Sequence, residues 1–109
     1  MNKSNVFVYI ELPKLVAKLS TNIHLVKDAL KAQASYFSII SPKYFSDALS
    51  LEWKNILLQI KQSGPLLDED GNVIVNAITN SINQMSDLEC IAITMNIISL
   101  HEKVKLEWD

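Results

Sequence analysis

The sequence predicts a mainly α protein, a small four- to five-helix bundle with a short extended segment at its N-terminus, and three observations carry that prediction. Chain-breakers are scarce: 109 residues hold 2 Gly and 3 Pro, too few for a many-turned β fold. Hydrophobic residues make up 49% of the chain and charged residues 20%, a globular balance and not a disordered one. Apolar residues recur at three- and four-residue steps in four segments, which Ser41-Pro42, Gly64-Pro65 and Ser86 separate. A chain of this length builds one domain, residues 1–109, around one core.

The elements follow in order. Residues 5–10, Asn-Val-Phe-Val-Tyr-Ile, are β-branched and aromatic and read as extended, although periodicity alone does not separate a short apolar strand from a buried helical turn. Pro13 then opens a short helix through Leu19, because the N–H it lacks would be unpaired at a helix start. Ser20 caps a second helix that runs to about Ile40. His24, Lys27, Asp28, Lys31, Ser35 and Ser38 share its polar face, and Ile23, Val26, Leu30, Ala34 and Phe37 occupy much of the rest.

At Ser41-Pro42 serine caps and proline takes the first helical position. Phe45, Leu49, Trp53, Ile56 and Ile60 then form a core stripe, with Lys43, Asp47, Ser50, Lys54 and Lys61 opposite. Gly64-Pro65 ends this helix, glycine suiting the left-handed position after the last turn. Residues 64–72 read as a loop. The next helix carries Ile74, Ala77, Ile78, Ser81, Ile82 and Met85 on one face and Asn72, Asn76, Asn80 and Asn83 on the other. Ser86 to Glu89 is a capping box. The last helix, residues 87–106, is apolar nearly all round. Glu89, Asn96, Ser99 and Lys103 form its thin solvent stripe, and Ile91, Met95 and Ile98 are expected inside. Such a helix is either central in the bundle or covered by a partner.

Chemistry-bearing motifs are few. Asp68-Glu69-Asp70-Gly71 resembles part of a calcium loop, but with Gly71 at the sixth position the first and twelfth are Leu66 and Ala77, where oxygen ligands are required. His24 and His101 have no Cys or His at ligand spacing, so no metal or other cofactor is expected. Cys90 sits in an apolar helix and reads as a small buried hydrophobe. No phosphate loop and no nucleophile elbow occurs. A non-enzymatic protein is therefore expected.

The net charge of −2 hides an asymmetry. The lysines cluster before Gly64, and none falls between Lys61 and Lys103. The whole chain lacks arginine, the residue best suited to phosphate and guanine. The isoelectric point is about 5.6, which disfavours nucleic acid as a partner. The bias toward Ile, Asn and Lys suggests an AT-rich bacterial or phage genome. The N-terminal residues lack the features of a signal peptide, and no apolar run approaches the roughly 20 residues that span a bilayer; a cytoplasmic protein without a membrane partner is expected.

These readings favour a protein-binding module, such as an immunity or inhibitor protein that masks a basic partner. The candidate surface is Asp68, Glu69, Asp70 and Asp87 with the asparagine face of Asn72, Asn76, Asn80 and Asn83. Trp108 joins it, because a tryptophan beyond the last helix must either fold back or bind something. Two alternatives remain: a self-associating subunit whose last helix pairs with its own copy, and a nucleic-acid-binding regulator that uses the lysine-rich half.

Overall fold

The computed structural model describes residues 2–109. The protein is a small helical bundle with one two-stranded hairpin. In chain order it has α1 (Val6–Ala17), α2 (Val26–Ala32), α3 (Ala34–Ile39), a 3-10 turn at Pro42–Tyr44, α4 (Ser50–Ile60), β1 (Leu66–Leu67), β2 (Val73–Val75), α5 (Ala77–Gln84) and α6 (Asp87–Trp108).

The N-terminal segment is helical, not extended. Asn5 caps α1 through its Oδ1, which accepts from the Val8 N–H at 3.0 Å. Val8, Leu12 and Leu15 are buried at helical spacing. The flanking Val6, Phe7 and Ile10 are exposed. Their apolar character blurs the period that would have marked the helix. Pro13 lies inside α1 and not at its start.

The second helix starts later than Ser20 and breaks once. The Ser20 hydroxyl accepts from the Asn22 N–H, and the Asn22 side chain accepts from the His24 N–H. These local bonds hold residues 20–24 in turns that compete with helix. Ile23 is exposed in consequence. Gln33 separates α2 from α3.

The third predicted stripe is buried throughout, but its first part is not α-helix. Ser41 and Pro42 start a 3-10 turn, and Phe45 is extended before α4 begins. Phe45, Leu49, Trp53, Ile56 and Ile60 all enter the core. Trp53 stacks on Phe37 and Phe45, with ring centroids 5.9 and 5.5 Å away. Its indole N–H donates to the Ile40 carbonyl at 2.8 Å. Burying the largest side chain of the core thus leaves no orphan donor. Gly64 adopts a φ of 64°, the left-handed conformation expected after α4.

α6 is the central element and packs on α1, α2 and α4. Cys90, Ile93, Thr94, Ile97, Leu100 and Val104 form its buried face. The lone Cys90 is buried, and burial pushes its thiol up. The capping box forms as predicted: Ser86 Oγ accepts from the Glu89 N–H, and Glu89 accepts from the Ser86 N–H, both at 3.1 Å. The expected solvent stripe of α6 holds, with Glu89, Asn96, Ser99 and Lys103 all exposed, but the residues expected inside differ. Met95 is 58% exposed, and Ile91 and Ile98 are half-buried. Glu89 and Asn96 also line a groove with Gln59 and Gln62 at the end of α4, and Asn96 lines a second with Glu52 and Asn55. Lys103 bonds Glu52 of α4 at 2.7 Å. The apolar surface of α6 is wider than its buried face, and Leu88, Met95 and Leu106 are left outside. Among the described residues, no helix is long and apolar enough to cross a membrane.

Candidate protein-binding surface

The predicted acidic loop is the end of a β-hairpin. β1 and β2 pair antiparallel, Leu66 opposite Val75 and Leu67 opposite Val73. The Asp68 N–H donates to the Asn72 carbonyl at 2.9 Å, and the Gly71 N–H to the Asp68 carbonyl at 3.1 Å. Gly71 takes a φ of 83°, which only glycine adopts at no steric expense. The result is a β-turn over residues 68–71 whose last residue, Gly71, is left-handed, a common three-residue hairpin connection.

Asp68 organises this turn. Its Oδ1 accepts from the N–H groups of Asp70 and Asn72, and its Oδ2 accepts from the Asn72 side chain. The backbone and side-chain bonds from Asn72, joined by weaker ones from Asp70 and Gly71, hold the Asp68 carboxyl below its ordinary value. The first of the three acids therefore shapes the chain. Glu69 and Asp70 are exposed at the tip, and neither carboxylate has an ion-pair or hydrogen-bond partner among the described residues.

The four asparagines do not form one face. Asn72 belongs to the turn. Asn76 caps α5, its Oδ1 accepting from the Thr79 N–H at 2.8 Å. Asn80 is 8% exposed; its amide donates to the Gly64 carbonyl at 2.9 Å and its oxygen accepts from Gln84. Beside it the Ser81 hydroxyl accepts from the Ser63 N–H. Asn80 and Ser81 thus tie the base of the hairpin to α5. Asn83 is exposed and accepts from Lys31 of α2 at 3.0 Å. Asp87 is exposed in the first turn of α6, where a negative charge favours the helix dipole. No spacing in the sequence pointed to Asn80 as the partner of the Gly64 carbonyl.

The hairpin also carries an apolar surface that sequence reasoning missed. Leu66, Leu67, Val73 and Ile74 are all exposed, Ile74 at 59%. Ile74 was expected on the core face of the next helix. It lies in β2 instead, because Asn76 ends the strand and starts α5. The β-branched run Val73-Ile74-Val75 after an Asp-Gly turn was the available signal.

Trp108 lies away from this surface and folds back on the bundle. Helix α6 extends through it. Its ring stacks on Tyr9 at 4.5 Å, and Lys3 sits 4.0 Å over the ring centroid. Its indole N–H donates to the Ser4 carbonyl, while the Ser4 N–H and hydroxyl donate to Glu107 at 2.9 and 2.8 Å. Burial raises the Glu107 carboxyl, but the nearby Ser46 hydroxyl and the two Ser4 donors outweigh it and the net direction is down. The Ser46 hydroxyl itself lies outside full hydrogen-bond geometry.

Among the described residues, the remaining titratable groups have the following surroundings. The charges that reach Cys90 are Lys27, Asp87, Glu89 and Lys31, with no histidine among them. A raised thiol pKa is opposite to that of a nucleophilic cysteine. Burial lowers the His101 pKa. Among the described residues, no three His, Cys, Asp or Glu side chains converge as metal ligands. The lysines of the N-terminal half are largely engaged within the chain: Lys14 with Glu11, Lys31 with Asp28, and Lys18 and Lys43 over Tyr36 and Tyr44. Comparison with protein-family models, with curated proteins and with solved structures finds no match to this chain.

Proposed function

We propose that this protein is a non-catalytic binding module that docks its hairpin, residues 66–75, on a basic protein and masks it, as an immunity or inhibitor protein does. The observation that carries this reading is the juxtaposition of four exposed aliphatic side chains, Leu66, Leu67, Val73 and Ile74, with two unpaired carboxylates, Glu69 and Asp70. A two-stranded ribbon with so much apolar surface in water is marginal by itself, and contact with a partner would remove that surface from solvent. The strands also offer unpaired backbone groups at their edges, a template for an added strand. The acids at the tip would steer a basic partner toward the ribbon.

The division of labour defines the test. The partner is first captured on the full chain from the cells that encode it. Glu69→Gln with Asp70→Asn should then slow association, most at low salt, because rim charges act on encounter. Asp68 is left intact, since replacing it would disturb the turn. Leu67→Ser with Ile74→Ser should speed dissociation instead. Parental rates for both pairs across a salt series would reject the hairpin as the docking element.

A further inference from the structure

The outward face of α6 is a second unpartnered apolar surface, and its pattern specifies an occupant. Leu88, Ala92, Met95, Ser99, Glu102 and Leu106 are all exposed. They follow one another at steps of four, three, four, three and four, the seam of a coiled coil. Leu88 is 70% and Leu106 72% exposed. The stripe runs nearly the full 22 residues of the helix, about 33 Å at 1.5 Å per residue.

We propose that this face is the dimer interface of the protein and that a second copy of the chain covers it with its own α6 running antiparallel. The spacing is the same read from either end, so a two-fold axis level with Ile97 brings every seam residue into register. Leu88 then meets Leu106 of the second copy, Met95 meets the small Ser99, and Ala92 leaves room for Glu102. The two leucines thus pack on each other at the ends of the seam, and between them large residues fall against small ones.

Charge selects the antiparallel direction. Glu89, Asn96 and Lys103 line one flank of the seam, each one residue beyond a seam position. Across the axis Glu89, which also holds the Ser86 cap, faces Lys103 of the second copy, which also bridges Glu52 of its own α4, and Asn96 faces its own equivalent, which offers both donor and acceptor. A parallel pair would set the seam residue Glu102 against an identical charge, which is unfavourable. Glu102 in the seam weakens the contact but opposes the parallel form. One helix pair is a small interface, so the dimer is a reversible one that forms at micromolar or higher concentration. This inference stands apart from the hairpin reading, because no residue of 66–75 takes part.

The full chain is followed by sedimentation equilibrium from about 5 to 500 µM, a range that brackets a weak association. The parent should shift from monomer toward dimer across that range. Met95→Lys should raise the dissociation constant by at least about ten-fold while circular dichroism at low concentration stays parental, because Met95 is exposed in the monomer. Direction is read by crosslinking. Under oxidation, Leu88→Cys mixed with Leu106→Cys should give a disulfide-linked pair, and either variant alone should not. A parent that stays monomeric to the top of the range overturns the proposal. So does a dimer that Met95→Lys leaves intact, or one in which Leu88→Cys crosslinks to itself.

Discussion

The Trp108 indole N–H donates to the Ser4 carbonyl at 3.0 Å, joining residues 104 positions apart in the chain. With the Ser4–Glu107 bonds and the Tyr9 stack it clasps the C-terminus of α6 against the start of α1. Trp108→Ala should destabilise by about 2 kcal/mol or more, below the 3–5 kcal/mol of a fully enclosed tryptophan because the ring is only half-buried. Trp108→Phe keeps the stack and should lose only about 1 kcal/mol with the hydrogen bond. Urea melts of the two variants check the order, and equal losses would mean the N–H carries the clasp.

Trp53 sets the corresponding test in the core. Trp53→Phe removes the donor that satisfies the buried Ile40 carbonyl and should cost about 1–3 kcal/mol for the orphaned acceptor, with a further loss for the void. Ile78→Ala, at a position 6% exposed, should cost about 2–5 kcal/mol. Thermal melts read both, and a parental melt for either would contradict the packing described.

The capping box at Ser86 is the simplest local prediction. Ser86→Ala leaves the Glu89 N–H without its acceptor and should destabilise by roughly 0.5–2 kcal/mol. Amide exchange should quicken in the first turn of α6 before anywhere else. Unchanged exchange at residues 87–90 would show that the cap contributes nothing.

Acid should destabilise the protein in two steps. Burial lowers the His101 pKa from its ordinary 6.5, so the unfolded chain takes up that proton first and stability falls as pH drops below about 6.5. Asp68, Glu89 and Glu107 are held below ordinary values of 3.8, 4.5 and 4.5. Their contribution is present above those values and is lost as pH falls through the lowered folded values. Melts from pH 7.5 to pH 3 should show both losses, and His101→Gln should abolish the upper one alone. A parent with flat stability between pH 7.5 and 5.5 would deny that His101 is held neutral.

The bundle was legible where apolar spacing was clean and punctuated. The stripe from Phe45 to Ile60 and the Ser86 cap stand where the pattern places them. α1 was hidden because Val6, Phe7 and Ile10 are as apolar as the buried Val8 and Leu12, leaving no contrast for periodicity to detect. In α6 the polar stripe of Glu89, Asn96, Ser99 and Lys103 faces solvent as read, but Met95 was placed inside because the helix has more apolar residues than its buried face holds, and nothing in their spacing says which of them stay outside. Of the candidate surface, the acidic tip was visible, but the asparagines proved to be caps and anchors whose partners, such as Gly64 for Asn80, are set by tertiary contacts. The Ser4–Trp108 clasp had no local signal at all.

The burial of Cys90 makes the protein its own clock. A thiol reagent needs both access and a thiolate, and Cys90 offers neither while α6 stays packed. Each labelling event at this single cysteine therefore counts one opening of the bundle around α6. If closing outpaces the reagent, the labelling rate divided by that of the unfolded chain is the equilibrium constant for that opening. The free energy of the central helix could then be followed in the intact chain with no probe added.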